Sequence, residues 1–148
     1  MKQEIYPLVV PSLMFNGQGK EAIELYKKVF NAEIGEKILF SEADPEDFIC
    51  ENESQKDFVY YCELMIGSHM IMVSDSGDGM LDGQANRRKA MTALCVSFDS
   101  EEKARNAYEI LSDGAEILMP ISSTSFCTFY ATLEDKFGIV WDLYFGDA

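Results

Sequence analysis

The chain repeats itself. "FNGQGKEAIELYKKVFNAEI" at 15–34 lines up with "FDSEEKARNAYEILSDGAEI" at 98–117, at an offset of 83 residues (98 minus 15). The offset places Phe15 on Phe98, Lys20 on Lys103, and Ala32-Glu33-Ile34 on Ala115-Glu116-Ile117. Each copy reads as a strand end, a polar turn, an amphipathic helix and a new strand. In the first helix Ile23, Tyr26 and Phe30 fall on one stripe, with Ala22, Leu25 and Val29 beside them. Ala104, Ala107, Tyr108 and Leu111 do the same in the second. Asn16 and either Asp99 or Ser100 suit N-caps, and Gly114 suits a C-terminal stop.

A strand-like run precedes each helix, at 8–15 and 91–98, and three more follow it. These are 32–40, 58–66 and 69–75 in the first half, and 115–120, 126–133 and 139–145 in the second. The order strand–helix–strand–strand–strand therefore occurs twice. Gly67 aligns with Gly138 at an offset of 71, so the first half is longer by 12 residues (83 minus 71). The acidic stretch 41–57 is expected to hold them. Modules 1–77 and 90–148 are expected to form one domain, joined by a Gly-rich polar linker at 78–89.

A length of 148 residues suits a single domain with a sizeable core. The formal charge of −14 disfavours nucleic acid and anionic membranes, which both attract basic surfaces. The N-terminal apolar run is too short for a signal peptide, and no stretch approaches the roughly 20 apolar residues of a membrane span. The expected location is the cytoplasm. Cys50, Cys62, Cys95 and Cys127 form no C-x-x-C pair and are expected to be reduced and mostly buried. His69 is the one histidine, so a His-rich metal site is excluded.

Four motifs carry a resemblance. "PSLMFNG" (11–17), "KEAIELYKKVF" (20–30), "IMVSDS" (71–76) and "LEDKFGIVW" (133–141) occur in the order and spacing of the PhnB-like branch of the vicinal-oxygen-chelate superfamily. That superfamily includes glyoxalase I, bleomycin- and fosfomycin-resistance proteins and extradiol dioxygenases. The resemblance implies an α+β fold. Its two βαβββ modules would form a curved, eight-stranded mixed sheet with helices on the convex side. It also implies a homodimer. Metal-using members take one His, Glu or Gln from the first and last strand of each module, and the ion acts as a Lewis acid. Those positions fall here at Val9, Val10 or Pro11, near Ile71, at Thr92 or Ala93, and at Asp142. One ionic ligand in four predicts no metal ligation and no cofactor, with His69 the single candidate for a substitute ligand.

Alternation along the final strand puts Val140, Asp142 and Tyr144 on one face and Ile139, Trp141, Leu143 and Phe145 on the other. The first set would face the superfamily's binding side. Tyr61, Glu63, Thr92, Tyr130 and Asp142 are the expected ligand-binding residues. Aromatic rings with carboxylates suit a small aromatic or amphipathic ligand of either neutral or cationic form. Equally, the tyrosines could simply pack the sheet while the acids face water. The leading function is a small-molecule-binding protein. One alternative is a divalent-metal-dependent lyase, isomerase or oxygenase, its metal held by Asp142 with His69, Glu63 or a partner chain. Another is a dimeric interaction protein with a filled cavity. The sequence leaves open whether the chain is catalytic.

Overall fold

The computed structural model describes residues 9–77, 92–125 and 127–146. The expected linker 78–89 and Phe126 lie outside the described residues. The strand–helix–strand–strand–strand order is found twice. In the first half it runs β1 (Ser12–Phe15), α1 (Gly19–Phe30), β2 (Glu33–Leu39), β3 (Val59–Ile66) and β4 (His69–Asp75). In the second it runs β5 (Leu94–Ser97), α2 (Glu101–Leu111), β6 (Glu116–Ser122), β7 (Phe129–Glu134) and β8 (Val140–Phe145). The fold is α+β, as expected. The eight strands form two ladders of four, β1-β4-β3-β2 and β5-β8-β7-β6. In each, the first strand pairs in parallel with the last, and the other pairs are antiparallel. The chain forms two compact units, Met1–Ile23 with Ala32–Leu81, and Glu24–Asn31 with Asp82–Ala148. The second half of α1 is thus counted with the second unit. No described helix is long and apolar enough to cross a membrane.

The helices end as the repeat predicts. Asn31 and Gly114 occupy the same repeat position, and both have left-handed backbones, with φ of 53° and 76°. The N-termini differ. Ser100 caps α2 by accepting from the Lys103 amide at 3.1 Å. Asn16 lies too far ahead of α1 to be its cap. That role falls to Asp75, at the end of β4. Its Oδ1 accepts from the Gly17 and Gly19 amides, and its Oδ2 from the Val59 amide at the start of β3. A negative charge here also meets the positive end of the helix. The two glycines follow from this contact. Gly17 has a φ of 91°, and a Cβ on Gly19 would lie 2.7 Å from Asp75. "NGQG" is therefore a carboxylate seat supplied by the chain itself.

The extra residues of the first half fold between β2 and β3 as two short 3₁₀ turns, Phe40–Glu42 and Glu53–Gln55. Aromatic rings anchor them. Phe40 lies edge-on to Phe48 at 4.9 Å and to Phe58 at 5.5 Å, and Phe48 stacks on Tyr60 at 5.4 Å. Two of the four cysteines, Cys62 and Cys127, are buried. Cys50 is half-buried and Cys95 exposed, so the thiols are less enclosed than expected.

The second unit is built around Asp135, which is only 3 % exposed. It opens the turn between β7 and β8. Oδ1 accepts from the Phe137 and Ile139 amides at 2.9 and 3.0 Å. Oδ2 accepts from the Tyr26 hydroxyl at 2.6 Å and the Trp141 indole at 2.9 Å. Tyr26 comes from α1 and Trp141 from β8, and both are fully buried. Their rings meet edge-on at 5.1 Å, and Phe30 lies 4.7 Å from Trp141. Burial, with the neighbouring Asp135 charge, pushes the Tyr26 hydroxyl far above its ordinary pKa, so it remains a donor. On the same sheet α2 packs through Tyr108, edge-on to Phe129 at 6.4 Å, with the Arg105 guanidinium 5.6 Å over that ring.

Removing the Asp135 carboxylate would orphan four donors in a dry site. Asp135→Ala is expected to cost about 3 kcal/mol or more. Tyr26→Phe removes one charge-assisted bond and is expected to cost about 1.5–3 kcal/mol. Urea unfolding followed by the fluorescence of Trp141, the sole tryptophan, measures both. An Asp135→Ala chain with an unchanged midpoint would sink the assignment.

Candidate functional site

The face of the second sheet opposite Trp141 is read from strand register. Cys95 of β5 pairs with Asp142 of β8, Asp142 with Thr132 of β7, and Thr132 with Met119 of β6. The next row is Ser97, Tyr144, Tyr130 and Ser122. The row on the other side holds Val140, Glu134 and Glu116. Asp142 and Thr132 are half-buried, and the Thr132 hydroxyl donates to Asp142 Oδ1 at 2.6 Å. Thr132 is the hydrogen-bond partner of Asp142 among the described residues, and Oδ2 has none. The Cys95 thiol is pushed up by partial desolvation, then by the charges of Asp142 and Cys127, so it stays protonated at neutral pH. The arrangement offers one oriented anionic acceptor beside two tyrosines.

In the first sheet the corresponding face carries Ser12 of β1, Met72 of β4 and Glu63 of β3, in register. Both oxygens of Glu63 are engaged. Oε1 accepts from the Glu36 amide at 3.0 Å, and Oε2 from the Tyr61 hydroxyl at 2.8 Å. Glu36 sits in an irregularity of the β2–β3 ladder between Ile34 and Lys37, where its amide leaves the normal pairing. A Cβ on the adjacent Gly35 would meet Glu63 Oε1 at 2.8 Å. Glu63 therefore stitches the bulge closed. Those two hydrogen bonds, the backbone one first, hold its carboxyl below the usual range, and the same contact raises the Tyr61 hydroxyl.

Of the residues singled out from sequence, Tyr61 and Glu63 meet in the first sheet, and Tyr130 and Asp142 lie in adjacent rows of the second. Thr92 precedes β5 and is exposed, and the residue in register with Asp142 is Cys95. On β4 the corresponding residue is Met72, because Ile71 is buried on the opposite face. On β1 it is Ser12. The offset between halves is 83 on the first strands (95 minus 12) and 70 on the last (142 minus 72). The glycine alignment was therefore one residue out. Gly67-Ser68 is a two-residue hairpin, whereas the β7–β8 connection spans five, 135–139. His69 shares a strand face with Ile71 and Val73, and Glu63 faces Met72 across the other. Among the described residues no three His, Cys, Asp or Glu side chains come together as a metal-binding group. Thr132 and Cys95 were not among the residues expected to bind, and Tyr144 was placed on the Asp142 face by alternation alone. Alternation along "FYATLE" offered Thr132 as a neighbour of Tyr130, but its contact with Asp142 needed the pairing.

Comparison with known proteins agrees with this topology. The family model described as 3-demethylubiquinone-9 3-methyltransferase matches residues 7–144. Protein YjdN of Escherichia coli K12 is 23 % identical over 133 residues, covering 88 % of this chain and 90 % of YjdN. The crystal structure of PA1353 from Pseudomonas aeruginosa superposes with a TM-score of 0.75 at 22 % identity, over 96 % of this chain and 99 % of that one. A Bacillus cereus PhnB protein, described as a putative 3-demethylubiquinone-9 3-methyltransferase, gives 0.75 at 24 % identity, over 95 % and 100 %.

Glu63 provides a pH test of the first-sheet geometry. Its folded pKa lies below the unfolded value of about 4.3. The stability it contributes is therefore complete above that value and is lost as pH falls through the folded pKa. Carboxyl NMR titration is expected to find Glu63 below the ordinary glutamate value, and Tyr61→Phe to bring it upward. An unmoved Glu63 in Tyr61→Phe would refute the hydrogen bond.

Proposed function

We propose that this chain, which belongs to the 3-demethylubiquinone-9 3-methyltransferase family and through it to the PhnB-like branch of the vicinal-oxygen-chelate superfamily, is a small-molecule-binding protein that works without the superfamily's four-ligand metal centre. The family description names a methyl transfer. The reading proposed here rests instead on the chain's own side chains. One observation carries it: the register positions on the first and last strands of the two modules hold Ser12, Met72, Cys95 and Asp142. A hydroxyl and a thioether are poor donors for a hard divalent ion, a thiol suits softer ions, and one carboxylate does not hold it alone. His69 does not repair the set, since alternation turns it away from Met72. What the second sheet retains is a fixed carboxylate beside tyrosines, which suits recognition of an organic ligand.

Metal analysis and mass spectrometry of small molecules released from the purified chain test this. The expected result is metal far below one ion per chain, with a released organic compound. That compound, added back, is expected to raise the melting temperature of the parent chain and to do so less for Asp142→Ala. Stoichiometric divalent metal that disappears in Asp142→Ala would overturn the reading in favour of the metal-dependent enzyme.

A homodimer is proposed alongside, on the resemblance and on one structural observation. The edge strand β6 leaves Ile117, Leu118 and Met119 about 40 % exposed, with one backbone edge unpaired in its ladder. Leu118→Lys is expected to shift the chain from dimer to monomer by light scattering, and a monomeric parent chain would refute the assignment.

A further inference from the structure

The residues around Asp142 define the charge of what that face can hold. The three rows of the second sheet contain Asp142, Glu134 and Glu116, and no Lys or Arg. The other side chains there are hydroxyls, a thiol, a thioether, Val140 and the cross-strand tyrosine pair Tyr130–Tyr144. Asp142 is oriented by Thr132 through Oδ1, while Oδ2 is unanswered among the described residues. Among the described residues of these rows an anion meets the like charges of Asp142 and Glu134, and a neutral ligand leaves Asp142 without a counter-charge. A cation supplies the missing donor, and a ring beside it finds Tyr144 in the next row. The whole-chain charge of −14 adds long-range attraction of the same sign.

We propose that the Asp142 face of the second sheet takes a small organic cation bearing an aromatic ring, its ammonium on Asp142 Oδ2 and its ring against Tyr144. This rests on the binding reading above and adds the chemical class of the ligand. Thr132 is a positioning residue: it fixes the carboxylate and leaves the recognising oxygen outward.

Three probes of one shape separate charge from shape. 2-Phenylethylamine is cationic at neutral pH, 2-phenylethanol is neutral and phenylacetate is anionic. In NMR titrations of the full chain the amine is expected to bind saturably and to shift the amides of Thr132, Asp142 and Tyr144. The alcohol is expected to bind about tenfold more weakly, the worth of a charge-assisted hydrogen bond, and the acid more weakly still. Salt is expected to weaken the amine and not the alcohol. Asp142→Asn is expected to erase the preference for amine over alcohol. Thr132→Val, which keeps the charge, is expected to retain that preference at lower affinity. Alcohol or acid binding as tightly as amine at these resonances would overturn the cation and keep the binding reading. No saturable shift with any probe would also overturn it, while the released-compound experiment decides the binding reading separately. The probe series and its salt dependence use the unmodified chain, so the inference stays testable if Asp142→Asn does not fold.

Discussion

A carboxylate taken out of water is tolerated when its lone pairs are answered, and Asp135 is answered four times. The donors come from three places: the turn it begins, the indole of β8 and the phenol of α1. One side chain thus fixes the five-residue connection, the position of Trp141 and the seat of Tyr26 from the second half of α1. The rings of Tyr26, Phe30 and Trp141 then close around it. The motif "LEDKFGIVW" has a mechanical meaning in these terms. Asp135 supplies the acceptor, Gly138 with a φ of 93° lets the turn close, and Trp141 returns the donor.

The two halves use different polar joints in the same architecture. In the first, Asp75 ties the end of β4 to the start of α1 and to β3. In the second, a serine of the local sequence caps α2, and the buried carboxylate has moved to the β7–β8 turn. The duplicated frame is apolar and periodic. What distinguishes the copies is where each places its buried charge.

Much of the frame was legible because it is local. Helical stripes, alternating strands and the repeat of Ala-Glu-Ile all lie within a few residues of one another, and element order followed from them. Register was not legible, because it depends on turn geometry. The two-residue Gly67-Ser68 hairpin and the longer turn after Glu134 shift the last strands by one residue relative to a glycine alignment, and one residue turns a side chain to the other face. That is why Ile71 was expected where Met72 stands. Thr92 or Ala93 was expected where Cys95 stands, and both precede β5, which begins at Leu94. Distant partners were equally hidden. Asp75 reaches amides more than fifty residues away, and Glu63 meets Glu36 only through a strand irregularity. Asp142 was visible as an acid in an apolar strand, but the hydroxyl that aims it was not.

Strand β8 presents Trp141 to the Asp135 lock and Asp142 to the opposite face. Anchoring and the proposed recognition are thus adjacent in sequence yet carried on opposite faces of one strand. A side chain exchanged at 142 or 144 meets the proposed ligand's face and leaves the indole donor that holds the strand in place.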